Sequence, residues 1–517
     1  MPRADIPDLP TLMAYVDHYA TNTPNAIAAQ DFGSPGLTYR ELVAVVRAIQ
    51  DDLLSAGVRP GDVVATMAPP SVDHWTTFLA VADMGAVWLG LNPRYRLSEW
   101  RDIFAVATPR ALFARDVIGE RRYDADVNAL IDEFDVMRLP FASSAVHVAR
   151  HGNSAVDVTE ADPADPCLLV FTSGSTGEPK GVLLRQSGLV ACGRTQAHHY
   201  GAPGGVALNP LPINHVGAIV DVGTTSLVVG GTQVFLDDFV PATFVEALVR
   251  SKATLLGGVP AMLLYLIATP EFWSADLSSV QRILWSGGAM PRSGAEILYE
   301  LQRPMHNFYG MTETTGSFTF TDPDADLDQL VTTVGRPDAD WVVRIADPVT
   351  GAAAPTGTVG EIQVRGPGVL HSYFGDPDAT AAAFTADGFF RTADLGVRHQ
   401  DGTISLAGRL REVYKSGGYN VFPRQVEEAL EAVPGVAMAT VVPVPDPLLG
   451  EVGMAFLTMM PGTQLDEDAI RSELKTTLAS YKVPKRFMLL DEPPLLPTGK
   501  IDRKALAVLA AQETHHD

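Results

Sequence analysis

The sequence predicts an α/β fold in a large N-terminal domain, followed by a small α+β domain, on three observations. First, apolar runs of strand length alternate with helical patterns: "GDVVATMAP" from Gly61 precedes "SVDHWTTFLAVADMGAV", and "ATLLGGVP" from Ala253 precedes "AMLLYLIATP". Such alternation builds sheets covered by helices. Second, from about Val359 the pattern changes to "GEIQVRG", "DGFFRTADLG" and "DGTISLAGR". Short strands separated by Asp-Gly and Gly turns predict a small β-rich subdomain. Third, the segment after Arg409 carries its own helix, "PRQVEEALEAV", and its own strand, "VAMATVVPVP". The expected division is 1–408 for the large domain and 409–517 for a small mobile one.

Length and composition agree with this plan. A chain of 517 residues exceeds one ordinary core. With 46% hydrophobic and 19% charged residues it reads as folded and soluble. The 38 Lys and Arg against 61 Asp and Glu give a net charge of −23, which argues against nucleic acid as a partner. An anionic ligand must therefore be held by a few placed cations and backbone N–H groups. The first 25 residues carry Asp5, Asp8 and Asp17 and no apolar h-region, so no secretory leader is expected. The weakly charged stretch from Val216 to Leu236 is interrupted by Asp221 and by several Gly and Thr. It reads as a buried helix followed by a strand, not as a transmembrane segment. Cys167 and Cys192 suit neither a disulfide framework nor a zinc site, and the expected compartment is cytoplasmic.

The stretch "FTSGSTGEPKGV", residues 171–182, lies between the apolar runs "LLVF" and "GVLL", so it is a turn between two strands. It departs from a Walker A loop, because Lys180 stands three residues after Gly177 with Pro179 between. The chemistry is nevertheless similar. Glycines let N–H groups converge on an anion, hydroxyls add donors and Lys supplies charge. A triphosphate is the expected ligand of Thr172, Ser173, Gly174, Ser175, Thr176, Gly177 and Lys180.

Downstream come "LPINHVG" (211–217), "NFYGMTETTG" (307–316), "RTADLG" (391–396), "GRLREVYKSGGYNVFPRQVEEAL" (408–430) and "PTGKIDRKAL" (497–506). Together with the loop, and in this order, these motifs resemble those of the adenylate-forming superfamily across nearly the whole chain. The resemblance implies activation of a carboxylic acid by ATP as acyl-AMP and transfer to the thiol of CoA, with Mg²⁺ as cofactor. It implies that Tyr309 stacks on adenine, that Gly287, Gly288 and Ala289 lie along it, and that Asn307 and Gly310 complete the ATP site. Thr312 would bond a phosphate, Glu313 and Thr176 would hold Mg²⁺, and Asp394 and Arg409 would take the ribose hydroxyls. The family usually has Thr-Gly-Asp where this chain has Thr392, Ala393 and Asp394. Lys500 matches the mobile lysine of the adenylation step, where a placed ammonium stabilises developing phosphate charge. Arg411 matches the hinge between domains, commonly Asp or Lys, and Lys415 and Gly418 lie in the loop expected to form the thiol channel.

For the acid, the resemblance assigns His215 beside the incoming carboxylate and Val216, Gly217, Asp221, Trp285 and Met311 to the acyl pocket. Amino-acid-activating relatives place an Asp where Val216 stands, so a small or an aromatic, polar acid is expected instead. Asp221 is alone among apolar neighbours, and a buried carboxylate is costly unless paired or protonated. Two readings stay open: structural pairing with a nearby group, or acceptance of a hydrogen bond from the acid. The acceptor also stays open among CoA, a carrier-protein thiol and an amine, as does nitrite for the acid, and a homodimer is compatible with the sequence. An inactive nucleotide-binding regulator is disfavoured, because Glu313, Asp394, Arg409 and Lys500 are all retained.

Overall fold

The computed structural model describes residues 2–141, 161–173, 179–460, 462–463, 466–496 and 500–514. Among these, two sheets with parallel interiors form the large domain. One runs, edge to edge, through Arg336–Pro337, Gly316–Phe320, Met305–Met311, Arg282–Ser286, Leu255–Gly258, Val206–Asn209, Thr232–Phe235, Ile27–Asp31 and Leu37–Thr38. The other runs through Ser372–Tyr373, Pro179–Arg185, Pro166–Ser173, Val87–Leu91, Val63–Met67, Ala111–Ala114 and Met137–Leu139. Antiparallel pairs finish the ends nearest the site: Met305–Met311 with Gly316–Phe320, and Pro166–Ser173 with Pro179–Arg185.

The continuous apolar runs of the sequence are explained by burial on both faces. Val63, Ala65 and Met67 pack in one core with Trp100 and Phe104, whereas Val64 joins Trp88, Phe78, Tyr309 and Phe318 in the core between the sheets. Alternate residues of one strand thus serve two cores. Both predicted strand–helix pairs are present. Val63–Met67 leads to the helix Val72–Asp83, capped by Ser71, and Leu255–Gly258 leads to Pro260–Ile267, with proline in its first turn.

The stretch from Val216 is a helix followed by the strand Thr232–Phe235, but the helix is unusual. Gly217–Thr224 is π-helical and only Thr225–Val228 is α-helical. The hydroxyls of Thr224 and Thr225 donate to the carbonyls of Ile219 and Val220, five residues back, at 2.9 and 3.1 Å. These bonds follow the wide π turn, a feature concentrated at functional sites. No helix among the described residues is long and apolar enough to cross a membrane.

The β-rich section begins earlier than the turn pattern indicated. Its four-stranded antiparallel sheet opens with Val342–Ala346 and continues through Val359–Arg365, Phe390–Arg398 and Ile404–Arg409. The first strand is half solvated, with Val342 exposed, so its apolar run is short. Beyond Arg409 a turn leads to Tyr414–Ser416 and a second, smaller unit. There Val436–Asp446 and Gly450–Met459 pair as a long hairpin, covered by the helix Pro423–Glu431. Tyr414, Val421, Val426, Leu430 and Ala455 give it a core of its own.

Candidate active site

Antiparallel pairing sets Asp394 opposite Arg409 on neighbouring strands, with Arg409 Nε 3.3 Å from Asp394 Oδ1. Tyr309, near the end of Met305–Met311, donates its hydroxyl to Asp394 Oδ2 at 2.7 Å. Burial raises the Asp394 carboxyl, while Arg409 and the Tyr309 hydroxyl pull it back towards the charged form. Ala393, which stands beside it, has φ 57°, in the left-handed region that glycine takes freely. Its carbonyl accepts from Leu410 N at 2.8 Å, so pairing with the neighbouring strand holds the strained residue in place. Ala393→Gly is therefore expected to stabilise the fold by about 0.5–1 kcal/mol, the left-handed penalty of alanine less the chain entropy of glycine. The measurement is the urea midpoint at constant slope; a lower midpoint would mean that the methyl group packs usefully.

Lys500 is delivered by a tight reversal of the chain. Leu496 N donates to Lys500 O at 2.7 Å, Asp502 N donates to Pro494 O at 2.8 Å, and Leu495 bridges to Ile501. The side chain lies over the turn after Arg282–Ser286, where a Cβ at Gly287 would stand 3.0 Å from Lys500 Cε and 3.6 Å from Nζ. Gly287 has φ 82°, and the exposed Gly288 and Ala289 continue the ledge. Burial lowers the Lys500 pKa most, and Arg409 lowers it further; Asp394, Asp221 and Glu313 act in the opposite sense. One ammonium thus feels residues from three separate motifs and Asp221.

Thr312 and Glu313 occupy a short 3-10 turn directly after the Tyr309 strand. Burial raises the Glu313 carboxyl, and Tyr373 donates to its Oε1 at 3.1 Å. The Tyr373 ring also lies 5.3 Å from Lys180 Nζ, because Ser372–Tyr373 pairs with Pro179–Arg185. One tyrosine therefore lies between Lys180 and Glu313. Sequence reasoning did not single it out, since a lone aromatic in a short strand carries no signal. Thr172 sits opposite Lys180 in the strand pair. Gly174, Ser175, Thr176 and Gly177 lie outside the described residues, as does the Ser173 side chain. Among the described residues no cluster of three or more His, Cys, Asp or Glu could hold a metal ion.

On the acid side, Gly217 N donates to His215 Nδ1 at 3.0 Å, which leaves the proton of the neutral imidazole on Nε2. Burial, reinforced by Lys500, holds the His215 pKa down to about 3. A Cβ at Gly217 would stand 2.9 Å from His215 Nδ1 and 3.5 Å from Asp221 Oδ2, so these groups share one face of the π-helix. Burial pushes Asp221 up to about 6, against the lowering effects of a hydrogen bond from Gln196 and of Lys500. Met311 is half-buried against the core between the sheets.

Four of the expected site residues have packing or hydrogen-bonding partners of their own in the fold. Trp285 is fully buried on the outer face of its strand, among Met262, Met290 and Ala295, whereas Leu284 faces the side carrying Tyr200. Its indole packs within that core. Val216 is likewise buried in the core between the sheets. Asn307 donates its amide to Leu330 O at 3.2 Å and Thr333 O at 2.9 Å, where a helix ends. Gly310 has a packing reason instead: a Cβ would meet Gly316 O at 2.0 Å. Arg411 is exposed in the turn between the two units, and Lys415 and Gly418 are exposed on the following hairpin.

The profile of the AMP-binding enzyme family matches residues 16–374, and that of the AMP-binding enzyme C-terminal domain matches residues 425–500. The chain belongs to the AMP-binding enzyme family. Among curated relatives it is 33% identical to feruloyl-CoA synthase of Amycolatopsis sp, over 93% of this chain and 95% of that one. It is 32% identical to indoleacetate–CoA ligase of Aromatoleum aromaticum, over 97% and 99%. Among solved structures, ATP-bound MatB from Rhodopseudomonas palustris superposes with a TM-score of 0.88 at 26% identity, covering 96% of this chain and 98% of that one. The amide bond synthetase McbA from Marinactinospora thermotolerans gives 0.85 at 28%, covering 96% and 99%. In this AMP-binding enzyme the second matched region ends on Lys500 and the first ends just beyond Tyr373.

Proposed function

We propose that this AMP-binding enzyme is an ATP-dependent, AMP-forming acid–CoA ligase. The observation that carries the reading is the convergence of Lys500 with Gly287, Asp394, Arg409, Glu313 and His215 in one site. A carboxylate oxygen of the acid attacks the α-phosphorus of ATP, the bond to pyrophosphate breaks, and acyl-AMP forms. The CoA thiol then attacks the acyl carbon, loses its proton to solvent, and AMP leaves with the electron pair of the broken C–O bond.

Lys500 stabilises charge on the phosphate oxygens in the first step. Asp394 accepts the ribose hydroxyls, Tyr309 and the ledge at Gly287, Gly288 and Ala289 hold the adenine, and Lys180, Thr172 and Thr312 hold phosphates. Glu313 fits Mg²⁺ arriving with ATP: it is a hard oxygen donor, raised by burial, with Tyr373 on one oxygen. Bound there, Mg²⁺ neutralises phosphate charge. A domain boundary at 408/409 and a pivot at Arg411 let the 409–517 unit turn, withdrawing Lys500 and bringing Lys415 and Gly418 towards the thiol channel.

The test is a panel of acids assayed for pyrophosphate release with ATP, with and without CoA. Acid-dependent pyrophosphate release and a CoA-dependent thioester are expected. Acyl-AMP that forms but is not consumed by CoA would move the acceptor to a carrier-protein thiol or an amine. No release with any acid would overturn the reading.

A further inference from the structure

Gln196, on the helix Gln186–Tyr200, is fully buried against the π-helix and is fixed from both ends. Its Oε1 accepts from the Tyr200 hydroxyl at 2.5 Å and from Thr225 Oγ1 at 3.1 Å. Its Nε2 donates to Asp221 Oδ1 at 2.7 Å. Two hydroxyls on one oxygen set the amide orientation, so Asp221 receives a donor and not a second acceptor. The π-helix supplies part of this clamp, because the single Thr225 hydroxyl proton is shared between Gln196 Oε1 and Val220 O, five residues back.

The carboxylate is confined between two glycines. A Cβ at Gly316, where φ is 118°, would lie 2.7 Å from Asp221 Oδ1 and 2.8 Å from Gln196 Nε2, which closes that side. Oδ2 instead faces bare Gly217, beside His215. A neutral amide does not neutralise a carboxylate, and Lys500 only partly offsets the effect of burial on Asp221. Asp221 is half-buried, so Oδ2 is open to a donor arriving with a ligand.

We propose that Gln196 is a positioning residue that presents Asp221 Oδ2 to a hydrogen-bond donor on the acid, so the enzyme prefers acids carrying a hydroxyl or amino group near the carboxylate over their apolar isosteres. The inference rests on the acid–CoA ligase reading. Its placement follows from His215 and Asp221 flanking the same glycine: a donor at Oδ2 lies beside the histidine expected at the reacting carboxylate. An apolar isostere that displaces water from Oδ2 without replacing its hydrogen bond leaves that oxygen unpaired, and sites built around such a bond reject analogues that lack it.

The experiment compares hydroxy-, amino- and methylbenzoates at each ring position, together with 3-hydroxybutanoate, β-alanine and butanoate, by acid-dependent pyrophosphate release. The full-length enzyme should favour the best hydroxyl or amino acid over its methyl isostere by about tenfold or more in kcat/KM. Hydroxyl against amino arms separate a neutral donor from a cation. Gln196→Met and Asp221→Ala should each bring this ratio close to one, chiefly through KM of the donor-bearing acid, and the double substitution should add nothing further. Equal turnover of methyl and hydroxyl acids by the unmodified enzyme overturns the proposal alone. So does a Gln196 effect that persists in the Asp221→Ala background or that falls on all acids alike. Absence of pyrophosphate release with every acid overturns the ligase reading, and the proposal with it.

Discussion

Lys500→Ala is expected to lower acyl-AMP formation by about 10²–10³-fold, the usual cost of removing one preorganised transition-state donor. The ammonium sits against the Gly287 turn and feels Asp394, Asp221 and Glu313, which oppose the effect of burial on its pKa. Attack on the α-phosphorus spreads charge over phosphate oxygens at that position, so the loss should fall on kcat of adenylation. Thioester formation from supplied acyl-AMP should change far less, because in that step the lysine has no developing charge to stabilise. Pyrophosphate release and thioester formation, measured separately, check the split. Equal losses in both half-reactions would remove Lys500 from its assigned role.

The second large effect is expected at the pivot. Arg411→Pro should reduce CoA transfer on the order of 10²-fold while leaving adenylation largely intact, because misplacing the reacting groups by an ångström or so costs about that much. Proline fixes φ and cannot follow the backbone rotation that turns the small unit. The residue is flanked by two anchored ones: Arg409 lies 3.3 Å from Asp394, and Glu412 lies 3.8 Å from Arg503, three positions beyond Lys500. A rotation of the small unit would thereby be concentrated in the few residues between. Normal rates in both half-reactions would exclude Arg411 as the pivot.

Much of this architecture was legible in the sequence, for identifiable reasons. Strands such as Val63–Met67 are covered on both faces, so their apolar runs stand out whatever the register. Asp394 and Arg409 came from motifs, and their pairing follows from strand register. What stayed hidden depends on which way a side chain turns. Trp285 and Val216 are residue types that suit a pocket, yet both turn into core, and the Asn307 amide closes a helix end. Gln196 and Tyr373 act through partners 25 and 60 residues away in sequence, which no local pattern encodes. The π-helix was equally invisible, since apolar composition does not distinguish its wider turn from an α-helix.

The bond from Gly217 N to His215 Nδ1 fixes more than a ring orientation. An imidazole that accepts at Nδ1, with burial and the neighbouring Lys500 holding its pKa down to about 3, is kept neutral while Lys500 stands beside it. It is then a permanent dipole and not a proton carrier. The acid enters already ionised, its oxygen displaces pyrophosphate, and adenylation needs no proton transfer at all. The thiol step is different, because sulfur becomes a good nucleophile only after losing its hydrogen. In the proposed cycle, proton traffic would then fall in the thiol-transfer half, and adenylation would run on fixed charges and dipoles alone.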